Sequence, residues 1–371
     1  MKKPFVMCLI FLMLFSLCAC SNQSAVDITE QPPSSLDPAA GAPASRLPQQ
    51  LTTNITLDAE LPQNTGKVDI LTVGFAPIDM EAAKQLLLAG KEITNHVQSG
   101  ATEVYTTSDG SNMSATGSFF SFDTNFSIYI NNVFTWSKND TSYNADTFLT
   151  NKDLGFCPID EAKMQVADVL HSMGIDSIDR STVYTLDHAM LAEAETAKKN
   201  NPDYAIDIQN GQIKFKDSWT ENDDCYFFVM ECCLHNIPII ADDFERTESG
   251  TIMFGNRVLA ILSKDGIQLL QMINIYRELS VEGQCEIISS EQALETVVKK
   301  LDSIITSNQY TIGNVELRYV PEYADKQHTD LRVIPAWCFS IEENAVSDTG
   351  DSSYVHEYIL MIDASNGSEI I

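Results

Sequence analysis

From residue 289 onward the chain reads as one helix followed by three strand-like runs, and neither part can bury its apolar side without the other. Ser289 and Gln292 have the spacing of a capping box. Ala293, Leu294, Val297, Val298, Leu301, Ile304 and Ile305 then trace a single apolar stripe at helical period. A surface helix of this kind needs a sheet face to cover it. Residues 315–320, 333–341 and 358–364 supply the strands, and Asn366-Gly367 turns the chain after the last of them. The expected fold class is therefore α+β, built from two or three helix-on-antiparallel-sheet units.

Earlier stretches repeat this alternation less clearly. Residues 55–61 and 67–75 alternate as strands, Asp79 caps a helix expected over 80–94, and residues 104–107, 117–122 and 126–135 read as further strands. A Ser/Asn/Asp-rich stretch, 138–153, then separates off a second helix, capped by Asp160 and stopped by Gly174. A short strand at 182–184 and a helix at 187–199 come next, with a hairpin of 205–208 and 212–215 around Asn210-Gly211. Strands are expected at 226–231, 237–240, 251–254, 258–262 and 267–275, with turns at Gly255-Asn256 and Asp265-Gly266. These patterns divide the chain into an N-terminal α+β domain at 51–150, a middle one at 151–286 and a C-terminal one at 287–371.

The first 50 residues are of a different kind. Lys2-Lys3, an apolar run and small Ala19 before Cys20 have the layout of an export signal over residues 1–19. The apolar run is shorter than the roughly 20 residues a spanning helix needs. Leu17-Cys18-Ala19-Cys20 resembles the bacterial lipobox. That resemblance implies cleavage before Cys20, diacylglyceryl transfer to its sulfur, and a lipid anchor on the extracytoplasmic face of the cell membrane. Residues 20–50 carry Pro32, Pro33, Pro38, Pro43 and Pro48 with few large apolar side chains. Such a stretch cannot offset its ordering entropy and reads as a tether reaching roughly 30 Å as a coil.

Charge narrows the partners. The chain holds 23 Lys+Arg against 52 Asp+Glu, a formal net charge of −29. Loss of the signal removes two lysines and no acid, so the mature chain is more acidic still. Nucleic acid is excluded as a partner, because phosphate binding needs a basic patch to release counterions. Of nine cysteines, Cys8 and Cys18 leave with the signal and Cys20 takes the lipid. Cys157, Cys225, Cys232, Cys233, Cys285 and Cys338 remain, mostly inside apolar runs, where a reduced thiol behaves as a small hydrophobe. Their even number leaves a disulfide open.

The C-terminal landmarks occur in a recognisable order: Ser290-Glu291-Gln292-Ala293-Leu294, Val315-Glu316-Leu317-Arg318-Tyr319, Ile334-Pro335-Ala336-Trp337-Cys338-Phe339 and Ile359-Leu360-Met361-Ile362-Asp363-Ala364-Ser365-Asn366-Gly367. Together they resemble a PepSY-type domain over 287–371. Asp160-Glu161-Ala162 followed by Thr182-Val183-Tyr184 resembles a degenerate earlier copy within 151–286. The whole mature chain also resembles uncharacterised lipoproteins of Gram-positive, clostridia-like bacteria. The resemblance implies a non-catalytic role, binding or restraining a peptide, a peptidase or an envelope protein, and it carries no catalytic residue to transfer.

No motif for an esterase elbow, zinc helix, Walker loop or dinucleotide fingerprint occurs, so no catalytic residue and no cofactor is assigned. Cys232-Cys233-Leu234-His235 is the most reactive-looking cluster. Cys233 with His235 could form a thiolate–imidazole pair, the basis of an alternative reading as an envelope hydrolase. Against it, neighbouring strand residues face opposite sides. Asp140, Ser142, Asn144 and Asp146 place oxygens at alternate positions like half a calcium loop, but the following positions, Ala145 and Asn151, break the pattern. A solvated loop accounts for them, and cation binding by the acidic surface is a third reading. His171 sits on the polar side of its helix, Trp337 reads as core, and the acidic stretch with Asp348, Gly350 and Asp351 reads as an exposed hairpin tip. The reading is a non-enzymatic binding or regulatory module held at the membrane by Cys20.

Overall fold

The strand-rich composition is resolved into two large sheets that share part of a core, with helices packed both within that core and on the outer faces. In the computed structural model the described residues are 48–371, except 139, 217, 247–250, 305–306, 326–329 and 347–352. The expected signal, Cys20, the expected tether as far as residue 47, and the expected tip with Asp348, Gly350 and Asp351 lie outside the described residues. Residues 48–371 belong to one compact unit.

In chain order the elements are β1 (Gln49–Gln50), β2 (Ile55–Leu57), β3 (Gly66–Phe75), α1 (Met80–Leu87), β4 (Ile93–Ser99), β5 (Thr102–Thr107), β6 (Asn112–Thr116), β7 (Phe119–Asp123) and α2 (Asn125–Val133). Then come β8 (Leu149–Thr150), α3 (Ile159–Ser172), β9 (Ile178–Leu186), α4 (His188–Asn200), α5 (Ala205–Gln209), β10 (Cys225–Leu234), β11 (Ile237–Pro238), β12 (Phe244–Glu245) and β13 (Ile252–Met253). The last are β14 (Arg257–Ser263), β15 (Gly266–Ile273), β16 (Tyr276–Ile287), α6 (Ser290–Asp302), β17 (Gln309–Tyr323), β18 (Leu331–Val346) and β19 (Ser353–Asp363). The class is α+β.

The first sheet runs β1-β2-β17-β18-β3-β16, with β19 also on β18; the second runs β4-β5-β6-β7-β15-β14-β10-β9-β8, with β11 also on β10. Among the named strands pairing is antiparallel except where β2 lies parallel to β17, and an isolated parallel bridge joins Ile239 to Tyr319. The expected divisions at 150 and 287 do not separate these sheets. β3 pairs with both β16 and β18, and β7 pairs with β15, so strands from all three expected domains interleave. Local patterning could not show this, because long-range pairing is set by which apolar faces meet.

Three helix-covered cores result. Ala293, Leu294, Val297 and Leu301 of α6 cover Trp337, Phe339, Leu360 and Ile362 of the first sheet. Each large side chain buried here contributes about 1.5–3 kcal/mol. The capping box of Ser289 and Gln292 forms as expected, and Trp337 is core, its Nε1–H donating to the Ile288 carbonyl at 2.9 Å. On one face of the second sheet, Ile130, Val133 and Leu191 of α2 and α4 pack on Phe227, Ile261 and Leu269. Its other face packs against α1 and α3, and that core continues into Tyr319, Ala336 and Met361 of the first sheet.

Several expected elements are corrected. Residues 126–135 are mostly helix, because Thr124 and Ser127 form a capping box and Ile130 and Val133 then share a buried face. The helix expected over 80–94 stops at Leu87, and after left-handed Gly90 the chain enters β4. The second helix starts at Ile159 after Pro158, with Asp160 already inside it. The hairpin expected at 205–215 is the short helix α5. β16 was not expected at all: nearly all of it is exposed, so it shows no inside–outside alternation. The segment at Gly255-Asn256 is no hairpin turn but a crossing beneath residues 241–243.

At that crossing a Cβ on Gly255 would lie 2.2 Å from the Ala241 carbonyl oxygen, which is backbone and cannot swing aside. Asn256, fully buried, accepts from the Cys232 N–H at 2.9 Å and donates to the Ile240 carbonyl at 3.0 Å. Gly255→Ala is expected to lower stability by about 2–3 kcal/mol. Gly155→Ala, with no atom near its Cβ, should change the urea midpoint little; equal midpoints for the two variants would refute this view of the crossing.

Candidate functional site

The site is built where strands of the two sheets face one another. In β9 and β10, Tyr184 lies opposite Phe227, Thr182 opposite Val229 and Arg180 opposite Glu231. Directly opposed residues share a face. On the first sheet, Thr311, Glu342 and Glu357 form one cross-strand row, Asn314, Ser340 and Ile359 the next, and Glu316, Cys338 and Met361 the third. The β17 register shifts between Ile312 and Asn314. This bulge, at Gly313, lets Thr311 and Asn314 face the same side.

The lower end is closed by charge. Arg318 donates from Nε to Glu316 at 2.9 Å and from Nη2 to Glu231 at 3.3 Å, and Arg180 pairs with Glu316. Burial works against the Arg318 charge, but Glu231 and Glu316 outweigh it and its pKa is raised. Beneath this network, burial pushes the Cys338 thiol up to about 12.

Above it opens a cleft of about 810 Å³. Among the described residues its lining carries five carboxylates, Asp58, Asp242, Asp243, Glu342 and Glu357, and one ammonium, Lys138, which lies 3.3 Å from Glu357. Trp136, Tyr143, Tyr184, Phe244 and Tyr358 supply aromatic surface. Burial, helped by nearby carboxylates, raises the three tyrosine pKa values. The phenols are therefore neutral at physiological pH and serve as hydrogen-bonding and stacking surface. The arrangement suits a ligand with positive charge, apolar side chains and polar groups along its length.

The residues singled out from sequence lie elsewhere or do other work. Asp140 accepts from the Ser142 N–H at 2.8 Å, Asn144 bonds the backbone of Val133 and Thr135, and Asp146 accepts from the Tyr143 hydroxyl. Their oxygens thus brace the loop that carries Trp136 and Tyr143 to the cleft. Among the described residues no three His, Cys, Asp or Glu side chains converge as metal ligands.

Cys233 and His235 share a separate concavity of about 470 Å³, but His235 is committed. It sits in the β10–β11 turn at φ 49°, followed by Asn236 at 63°, as a tight hairpin requires. Its Nδ1 lies 2.8 Å from Asp69 of β3 and its Nε2 2.8 Å from Glu278 of β16. No ring nitrogen is left to take a proton from a thiol. Cys233 is only 9 % exposed. Cys232 donates to the Ser177 hydroxyl at 3.1 Å, and burial raises its pKa to about 11. All six remaining cysteines are unbridged. His171 is exposed beside Asp176, as its position on the helix suggested.

Sequence reasoning missed the cleft because its lining spans residues 58–371 and no local window contains two walls. The one available signal is compositional: Trp136 and Tyr143 flank a stretch otherwise poor in large apolar residues.

No family model matches the chain, and no curated protein matches it. Among solved structures it is similar to an uncharacterised protein from Eubacterium rectale ATCC 33656. The TM-score is 0.64 at 19 % identity, covering 87 % of this chain and 92 % of that one. At that identity the likeness concerns the fold.

His235 provides a pH test. Burial alone would lower its pKa, but Glu278 and Asp69 outweigh burial and raise it. Stability from a raised folded-state pKa is full below the unfolded value, about 6.5, and is lost as pH rises through the folded value. His235→Ala should therefore cost more stability at pH 6 than at pH 9 in urea unfolding. A cost independent of pH would contradict the charged strut.

Proposed function

We propose that the chain is an extracytoplasmic binding protein, anchored through a lipid on Cys20, whose cleft takes up a basic peptide segment of an envelope protein or peptidase. The observation that carries this reading is the cleft lining, with five carboxylates and five aromatic rings against one lysine. A pocket of this size falls in the range that holds ligands. The unit of α6, β17, β18 and β19 is read as PepSY-like, which fits a restraining rather than a catalytic role. A Cys/His hydrolase is disfavoured by the double carboxylate clamp on His235.

Short peptides rich in Lys and Arg should bind the folded protein more tightly than acidic peptides of equal length, and salt should weaken them. Glu342→Gln should weaken binding about 2- to 5-fold, as expected for one exposed ion pair of about 0.5–1 kcal/mol. Calorimetry showing equal affinity for basic and acidic peptides would remove the reading. For the anchor, Cys20→Ser should shift the protein from the detergent phase to the aqueous phase in detergent partitioning. An unchanged distribution would refute lipidation at that residue.

A further inference from the structure

Within the cleft lies an open sheet edge. β18 pairs with one side of β19 in unbroken register from Ala336↔Asp363 to Val346↔Ser353. On its other side β19 is covered only in part. The segment 368–371 runs antiparallel to it: Asp363 N–H donates to Ser368, Met361 N–H to Ile371, and Ile370 N–H to Met361. Asp363 and Met361 therefore turn their backbone groups outward, and with no bulge in the register Ile359, Glu357 and Val355 do the same. Among the described residues no backbone group bonds these three on that side. Ile371, Met361, Ile359 and Glu357 all line the cleft, so the edge continues directly from the last paired segment into the acidic chamber.

Other edges differ. β16 carries two register shifts and β4 one, and bulges blunt an edge against pairing. β19 is regular throughout.

We propose that the occupant of the cleft is an extended basic peptide that adds as a strand to residues 355–359 of β19, antiparallel to it and in line with segment 368–371. This rests on the binding reading above and specifies how the ligand is held. Main-chain hydrogen bonds to the outward groups of Val355, Glu357 and Ile359 supply affinity, and alternate side chains supply selectivity. A ligand residue opposite Glu357 shares its face. There it meets Glu357 and Glu342 and should be Lys or Arg, while its neighbours two positions away lie opposite Ile359 and Val355 and should be apolar. The motif is apolar-x-basic-x-apolar.

The test is fluorescence anisotropy with a labelled, end-capped Val-Thr-Lys-Thr-Val peptide on the full folded domain. N-methylation of the residues whose N–H faces β19 should weaken binding about tenfold or more. N-methylation of the alternate residues should leave it within about twofold. Val355→Pro removes one outward donor and no β18 bond, so it should weaken the unmodified peptide, whereas Val355→Thr should not. If basic peptides bind but all methylated forms bind alike, strand addition is overturned and the cleft reading stands. If no basic peptide binds, both fall. If the protein sediments as a dimer that Val355→Pro dissociates, a second copy occupies the edge and the peptide proposal is overturned.

Discussion

Arg318 is the hinge of the architecture. It projects from β17 of the first sheet into the space between Glu316 on its own strand and Glu231 on β10 of the second. A guanidinium with little exposure is tolerated only if its charge is paired and its donors are used. Removing it would leave Glu231 and Glu316 with the more exposed Arg180 as their remaining cation, a loss of about 1–3 kcal/mol. Its position also decides where the sheets touch and where they part. Below Arg318 the apolar core is continuous, and above it the sheets diverge around polar and acidic rows. The cleft is a consequence of that change from apolar to polar along the same strands.

His235 fixes the opposite side of the contact. A residue in a tight hairpin turn reaches two strands of the other sheet through one ring, binding Asp69 and Glu278 together. The feature that made His235 look catalytic, an imidazole near cysteines, is thus used to join sheets. Cys232 and Cys338 are likewise thiols whose burial keeps them protonated. The chain concentrates its reactive-looking groups in structural positions and leaves carboxylates, rings and an open strand edge on the concave surface.

Elements governed by local rules were legible in the sequence. The Ser289 capping box, the Asp79 cap, the helix after Asp187, the Asp265-Gly266 hairpin and the buried Trp337 were all readable from the local sequence. Elements governed by their neighbours were not. α2 carries aromatic and β-branched residues that suit a strand, yet its cap and its packing on Phe227 and Ile261 make it a helix. β16 hides because an exposed edge needs no apolar alternation. The interleaving of strands across the expected domain borders, and with it the cleft, depends on pairings between residues hundreds of positions apart.

A binding role gathers these features into one account: an acidic chamber, neutral tyrosines, a regular open strand, and a tether expected between the domain and a lipid on Cys20. Its central claim is that the chamber between the sheets is where a basic peptide is held. Amide hydrogen exchange of the domain with and without a basic peptide tests this directly. The account predicts slowed exchange at residues 355–361, 311–314 and 182–184, with β16 and β4 unchanged. Protection confined to β16 or β4, or absent at saturating peptide, would contradict it.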